Sequence, residues 1–208
     1  MDDRELAALA ARGDRRALTA LIERYRGYLY AIAYRVTLDE DDALDATQIV
    51  YARIVERIGE YRGEGSLKGW LGAIAARTAI DAARRRNRRR ETAVDPILLG
   101  ALADRAPIDG AGAAREAIER EQRLAMVEAA MADLPPQQRA IVALRLSEGG
   151  MKNAEIAERL ELPAAQVRSQ LARAVAKLRA WMSEIERGRD GSERAESDRA
   201  GIAAKEKR

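Results

Sequence analysis

The chain has 208 residues, with 37 Lys and Arg against 34 Asp and Glu, and neither cysteine nor histidine. Disulfide stapling, metal sites built on Cys or His, and catalysis by either residue are thereby excluded. Apolar residues reach 47% without one phenylalanine, and much of that share is alanine, which implies close-packed helices around small aliphatic cores.

Residues 3–37 carry a helical period. Leu6, Leu9 and Ala10 form a short stripe, Gly13-Asp14 interrupts it, and Leu18, Leu21, Ile22, Tyr25, Leu29, Ile32, Ala33 and Val36 carry it on. Asp39 is placed to cap a helix running to about Ile58, with Leu44, Ile49, Val50, Ile54 and Ile58 as its apolar positions. "EYRGEGS" is a glycine-punctuated loop. Its Ser66 can cap a further helix that runs to the arginine run, with Leu67, Trp70, Leu71, Ile74 and Ile80 on the inner face. No stretch alternates with period two for long enough to make a strand, so the predicted fold class is all-α, with residues 1–90 as a first small helical domain.

Residues 91–113, "ETAVDPILLGALADRAPIDGAGA", hold two prolines, several glycines and four acids against the single Arg105, and read as a flexible acidic linker in which "ILLGAL" can dock. A second domain is expected over 114–186. Helical period resumes from Ala114 to Met131, "DLPPQQR" opens another helix, and "SEGG" closes it. The tail, 187–208, is polar with Ile202 as its one large apolar residue, and is expected to be disordered. No apolar run approaches the ~20 residues that span a bilayer, and "MDDRELAALAARGD" lacks a signal peptide's apolar core. The chain reads as cytoplasmic, without a membrane partner and without a catalytic, cofactor or metal site.

"NAEIAERLELPAAQVRSQLARAVAKLRAW" (153–181) reads as a short helix, a Leu162-Pro163 turn and a long helix. Asn153 can cap the first, whose inner face is Ile156, Ala157 and Leu160. On the second, Val167, Leu171, Ala174, Val175, Leu178 and Trp181 share one arc. Gln166, Arg168, Ser169, Gln170, Arg173 and Lys177 share the other, between small alanines. Ordinary solvated helix faces interleave both charge signs. This one carries four cations and no acid over 164–182, as a helix lying in a DNA groove would. A second basic surface comprises Arg77, Arg84, Arg85, Arg86, Arg88, Arg89 and Arg90, opposed by Asp81 and Glu91. It is either an arginine-rich helix end favoured by the dipole or a phosphate-binding tract. Two such surfaces joined by an acidic linker suggest one DNA molecule held at two places.

"DALDATQIVYARIVERIGEYRGEGSLKGWLGAIAARTAIDAARRR" (42–86) resembles the second conserved region of bacterial RNA polymerase sigma factors. "LPPQQRAIVALRLSEGGMKNAEIAERLELPAAQVRSQLARAVAKLR" (134–179) resembles the fourth. A chain with these two regions alone is similar to the extracytoplasmic-function (ECF) group. The resemblance implies a region 2 helical bundle and a region 4 helix-turn-helix domain. It also implies core RNA polymerase as partner, through the clamp helices of β′ and the flap of β, together with promoter DNA and an anti-sigma factor. Carried over residue by residue, Asp42, Asp45, Gln48, Ile49 and Arg53 would meet the clamp, although Asp42 and Asp45 also suit a helix N-terminus. The pattern departs at Ile49, where the family usually has an acid, and at Ala46, where it usually has a bulky apolar residue.

Tyr61, Arg62 and Glu64 of the loop would take a flipped base of the minus-ten element, and Arg77, Arg84, Arg85 and Arg86 would follow the strand backbone. Trp70 is either a stacking platform or core. Gln166, Arg168, Ser169, Arg173 and Lys177 would read the minus-thirty-five element. The activity implied is transcription initiation. The alternatives are a free-standing helix-turn-helix regulator and a sigma-fold interaction protein without promoter activity.

Overall fold

The computed structural model describes residues 1–63, 65–92, 129–147 and 150–206, and every regular element among them is helical. α1 (Asp3–Ala11) begins in a capping box: the Asp2 carboxylate accepts from the Glu5 amide at 2.8 Å and the Glu5 carboxylate from the Asp2 amide at 3.0 Å. Gly13, at φ +87°, turns the chain, and Asp14 caps α2 (Arg15–Thr37) through the amides of Arg16 and Ala17. Asp39 caps α3 (Glu40–Arg57), accepting from the Asp42 amide at 3.0 Å. A 3-10 turn, Ile58–Glu60, leads into the glycine loop. Ser66 Oγ accepts from the Gly69 amide at 2.9 Å as α4 (Leu67–Thr92) begins. Residues 129–132 are helical; α5 (Pro136–Leu146), α6 (Asn153–Leu160) and α7 (Ala164–Glu206) follow.

Four expectations change. Asn153 does not cap α6: Lys152 occupies that position without a side-chain bond, and Asn153 is the first helical residue. Leu44 and Ile49 are not inner positions but are 49% and 38% exposed; the buried face of α3 is Ala43, Ala46, Thr47, Val50 and Ile54. The tail is helical in its backbone, since α7 continues to Glu206. A segment that buries little can still be helical where its alanines, arginines and glutamates favour that backbone. Arg86 is not opposed by Asp81 and Glu91 alone, because acids from α3 and its cap reach it, as described below. The acidic linker beyond residue 92, the helix start near Ala114 and Glu64 lie outside the described residues.

α2, α3 and α4 form a three-helix bundle with α1 laid across α2. Leu21, Leu29, Ile32 and Val36 of α2, Val50 and Ile54 of α3 and Leu71 of α4 are fully enclosed. The same core continues into the second module: Ile141 and Leu144 of α5 and Ile156 of α6 are fully buried and belong to it, because α5 packs on both α2 and α4. Enclosing one Leu or Ile stabilises by about 1.5–3 kcal/mol relative to exposure. The approach is close at Gly72, where an added Cβ would collide with the Tyr28 hydroxyl and lie 3.3 Å from Leu144 Cδ2. A smaller cluster of Met131, Leu134, Val142 and Ala174, with Leu171 and Leu178 against it, joins α7 to α5.

Candidate nucleic-acid interface

The helix-turn-helix is built as its sequence implies. Leu162 donates its amide to Ala157 at 2.8 Å, the Pro163 carbonyl accepts from Gln166 and Val167, and α7 begins one residue after the proline. Val167 and Ala174 are fully buried and anchor the helix, while Leu171, Val175, Leu178 and Trp181 are half-buried along the same arc. On the opposite arc Arg168, Arg173 and Lys177 are exposed, and Gln166 and Ser169 half-exposed. Arg168 and Arg173 make no hydrogen bond or ion pair among the described residues, whereas Lys177 Nζ donates to the Asp133 carbonyl at 3.0 Å. A cationic arc without its own acids, interrupted by exposed alanines, is shaped to enter a groove and to meet phosphates or base edges.

The second surface is more divided. Gly63 and Gly65 take φ +78° and +72°, which gives the loop its tight path. Tyr61 closes that path, donating its hydroxyl to the Gly65 carbonyl at 3.1 Å with its ring 5.8 Å from Trp70. Trp70 is only 8% exposed, so it is core and not an open platform. Arg62, Arg84 and Arg85 are exposed. Arg86 instead bridges the carboxylates of Asp39 and Asp42, the latter at 3.1 Å. Arg77 is paired too: its Nη2 lies 2.8 Å from Glu161 Oε1, at the end of α6.

On α3, Asp45, Gln48 and Ile49 share the exposed face with Leu44 and Val55. Asp42 and Arg53 turn instead toward α4; Arg53 Nη1 donates to Thr78 Oγ1 at 2.9 Å. Ala46 is fully buried, so a bulky side chain there would have to be taken up inside the bundle, and Thr47 beside it bonds the Ala43 carbonyl at 2.7 Å.

Three features escape sequence reasoning. Arg57 and Arg159 line one small cavity of about 170 Å³ with Trp70, Ala73, Ile74, Arg77, Glu158 and Glu161. Arg57 holds Glu60 at 2.8 Å, which lowers the Glu60 carboxyl through that hydrogen bond and raises the guanidinium. Arg139, 8% exposed, has an Nε without a partner among the described residues, and burial followed by the neighbouring Arg86 charge lowers its pKa. Arg139 and Arg86 face a wider cleft of about 600 Å³ with Asn87 and Pro136. The cavity and the Arg139 cleft have no local pattern to announce them, because they bring together residues far apart along the chain, whereas Arg57 and Glu60 are three residues apart and their pairing went unread.

The family pattern described as Sigma-70 region 2 matches residues 21–89, and that described as Sigma-70, region 4 matches 124–178. The chain is similar to the ECF RNA polymerase sigma factor SigE of Mycolicibacterium smegmatis, at 32% identity over 181 residues, covering 85% of this chain and 67% of that protein. It is similar also to the RNA polymerase sigma-H factor of Pseudomonas aeruginosa, at 30% over 176 residues, covering 83% and 89%. In fold it is like CnrH, solved in complex with the cytosolic domain of CnrY, with a TM-score of 0.58, 24% identity and coverage of 88% of this chain and 97% of that one. With both region patterns in order and relatives at this identity over more than four fifths of the chain, the chain belongs to the ECF group of RNA polymerase sigma factors, the non-enzymatic proteins that bind core polymerase and promoter DNA to direct transcription initiation.

Proposed function

We propose that promoter recognition is divided between the two modules by residue as follows. Gln166, Arg168, Ser169, Arg173 and Lys177 of α7 read the minus-thirty-five element in the major groove. Tyr61, Arg62 and Glu64 of the loop, with Arg77, Arg84 and Arg85 of α4, hold the minus-ten strand. Arg86 is a weaker contributor there, because Asp39 and Asp42 already claim its guanidinium. The observation that carries the reading is the recognition arc, where Arg168 and Arg173 stand exposed and unpaired among the described residues. An arc of exposed cations with no acid of its own and small side chains between them suits a polyanion.

Core polymerase docks through the outward face of α3, where Asp45, Gln48 and Ile49 are exposed beside Leu44 and Val55, with the β′ clamp helices as partner. Asp42 and Arg53 support that face from behind. The fourth region docks on the β flap. The same mixed apolar strip suits capture by an anti-sigma factor, and CnrH, of like fold, was solved with a second protein bound. A partner of core polymerase works in the cytoplasm, as the sigma-factor relatives suggest; no described helix is long and apolar enough to cross a membrane.

The test is run-off transcription from fragmented genomic DNA with core enzyme, paired with gel shifts with and without core. Transcripts and promoter binding that require core support the reading. Tight operator binding by the chain alone, unchanged by core, would replace it with a free-standing regulator. Absence of any transcript would leave a sigma-fold interaction protein.

A further inference from the structure

We propose that the cleft between α4 and the start of α5 is a binding site for a small phosphorylated anion, with Arg139 and Arg86 as its cationic wall. The cleft holds about 600 Å³, a volume that suits a molecule of nucleotide size. Its first support is Arg139, which lines the cleft and is only 8% exposed. Its Nε lacks a partner, and the guanidinium makes no hydrogen bond or ion pair among the described residues. An arginine does not shed its charge in a protein, so one buried without a counter-ion is costly, and an apolar side chain would fill the position more cheaply. The acids nearby do not supply that counter-ion. Asp39 and Asp42 hold Arg86 from the α3 side, and Asp133, exposed at the rim, makes no ion pair with Arg139 among the described residues. The charge that acts most on Arg139 is a second cation, Arg86. A bound phosphate would supply what both lack, and a guanidinium matches its oxygens with two parallel donors.

The second support is the end of a helix. α5 starts on Pro135 as cap and Pro136 as first residue, both of which line the cleft, and no side chain caps its first turn. Neither proline has an N–H to offer, while the amides of Gln137 and Gln138 have no intrahelical acceptor, and the positive end of the helix dipole favours an anion. Asn87, exposed on the α4 side, adds an amide donor. Leu38 and Leu134 share the lining with these polar groups, which gives a base apolar surface to lie on beside its phosphates.

The experiment titrates the full chain with inorganic pyrophosphate and, separately, with ADP, in about 0.15 M salt, where exposed cations are largely screened. Calorimetry should show one site, and the melting midpoint should rise with probe concentration. Asn87→Asp alters an exposed residue, so the variant folds; its carboxylate in the cleft should weaken binding about tenfold or more. Arg139→Met fills the position without a charge, should melt no lower than the parent in the absence of probe, and should lose binding to the same extent. If that variant fails to fold, Asn87→Asp alone decides. Equal affinities for the two probes would support a seat for phosphates only, and tighter binding of ADP a seat for the base as well. No heat and no midpoint shift with either probe overturns the proposal. Binding that Asn87→Asp retains in full belongs to arginines elsewhere and overturns it too.

Discussion

Arg86 of α4 and Asp42 of α3 stand 44 residues apart in sequence and are joined at 3.1 Å, with Asp39 gripping the same guanidinium. One arginine of the basic run is thus a strut between two helices, while Arg84 and Arg85 face solvent. Arg86→Ala should cost about 1.5–3 kcal/mol of stability, as losing a charge-assisted hydrogen bond does. Arg84→Ala and Arg85→Ala should leave the melting midpoint unchanged yet flatten the salt dependence of promoter binding by about one unit each. Urea unfolding beside salt-titrated binding separates the two roles.

The recognition helix makes a sharper prediction. Arg168→Ala and Arg173→Ala remove exposed side chains without packing partners, so stability should stay within about 0.5 kcal/mol. Discrimination at the upstream element should fall by about 1–3 kcal/mol for each residue that contacts a base in a bidentate manner. Run-off assays on promoters with single changes in that element would measure it. A uniform loss across all sequences would assign the residue to phosphate.

At the seam, Gly72→Ala should destabilise by about 1–3 kcal/mol, since its new methyl meets the Tyr28 hydroxyl. Tyr28→Phe deletes the atom that is struck, and the double variant should recover part of the loss. A double-mutant cycle read by thermal melting checks the coupling. Two additive effects would show that α4 relaxes away from Tyr28.

On α3 the two departures from the family's pattern should behave oppositely. Ala46→Leu forces volume into a filled site and should cost about 1–3 kcal/mol. Ile49→Glu lies on the exposed face and should change stability by less than about 0.5 kcal/mol. If Ile49 lies at the clamp contact, the charge change should alter affinity for core polymerase, measured by fluorescence anisotropy, while the melting curve stays put.

Acid should loosen the N-terminus first. Tyr25 donates its hydroxyl to Asp3, and that bond, with Arg24 alongside at 2.8 Å, lowers the Asp3 carboxyl below its usual 3.8. A depressed folded pKa contributes stability that is present above the unfolded value and lost as pH falls through the folded one. Tyr25 is raised by burial and by the same bond, so its share is present below pH 10 and lost as pH rises through the elevated folded value. Hydrogen-exchange protection factors in α1, taken relative to the intrinsic exchange rate at each pH, should be highest between those limits. Asp3→Asn should remove the acidic limb.

Helix starts were legible where the signal is local. Asp39 and Ser66 are short polar side chains at fixed offsets from the amides they bond, so a few residues suffice to place them, and Asp14, read only as a break, caps α2 in the same way. Asn153 shows the limit of that rule, since the chain enters α6 one residue earlier and leaves its Oδ1 buried without a partner among the described residues. Leu44 and Ile49 were misplaced because apolar character marks an inner face only until a helix needs a second, outward contact strip. The cationic residues of α7 were readable from charge pattern, and their exposure follows. The Arg77–Glu161 pair was not, because it depends on how two modules separated by a long connection meet. The glutamate's left-handed backbone leaves no trace in composition either.

Ile141 and Leu144 carry one last consequence. Their side chains complete a core that α2 and α4 began, so the halves of the molecule share their main interior. Heating should therefore give a single calorimetric peak, not two. Substitutions deep in either half will register as lost cohesion in the other, which ties the two DNA-reading ends to a common thermal fate.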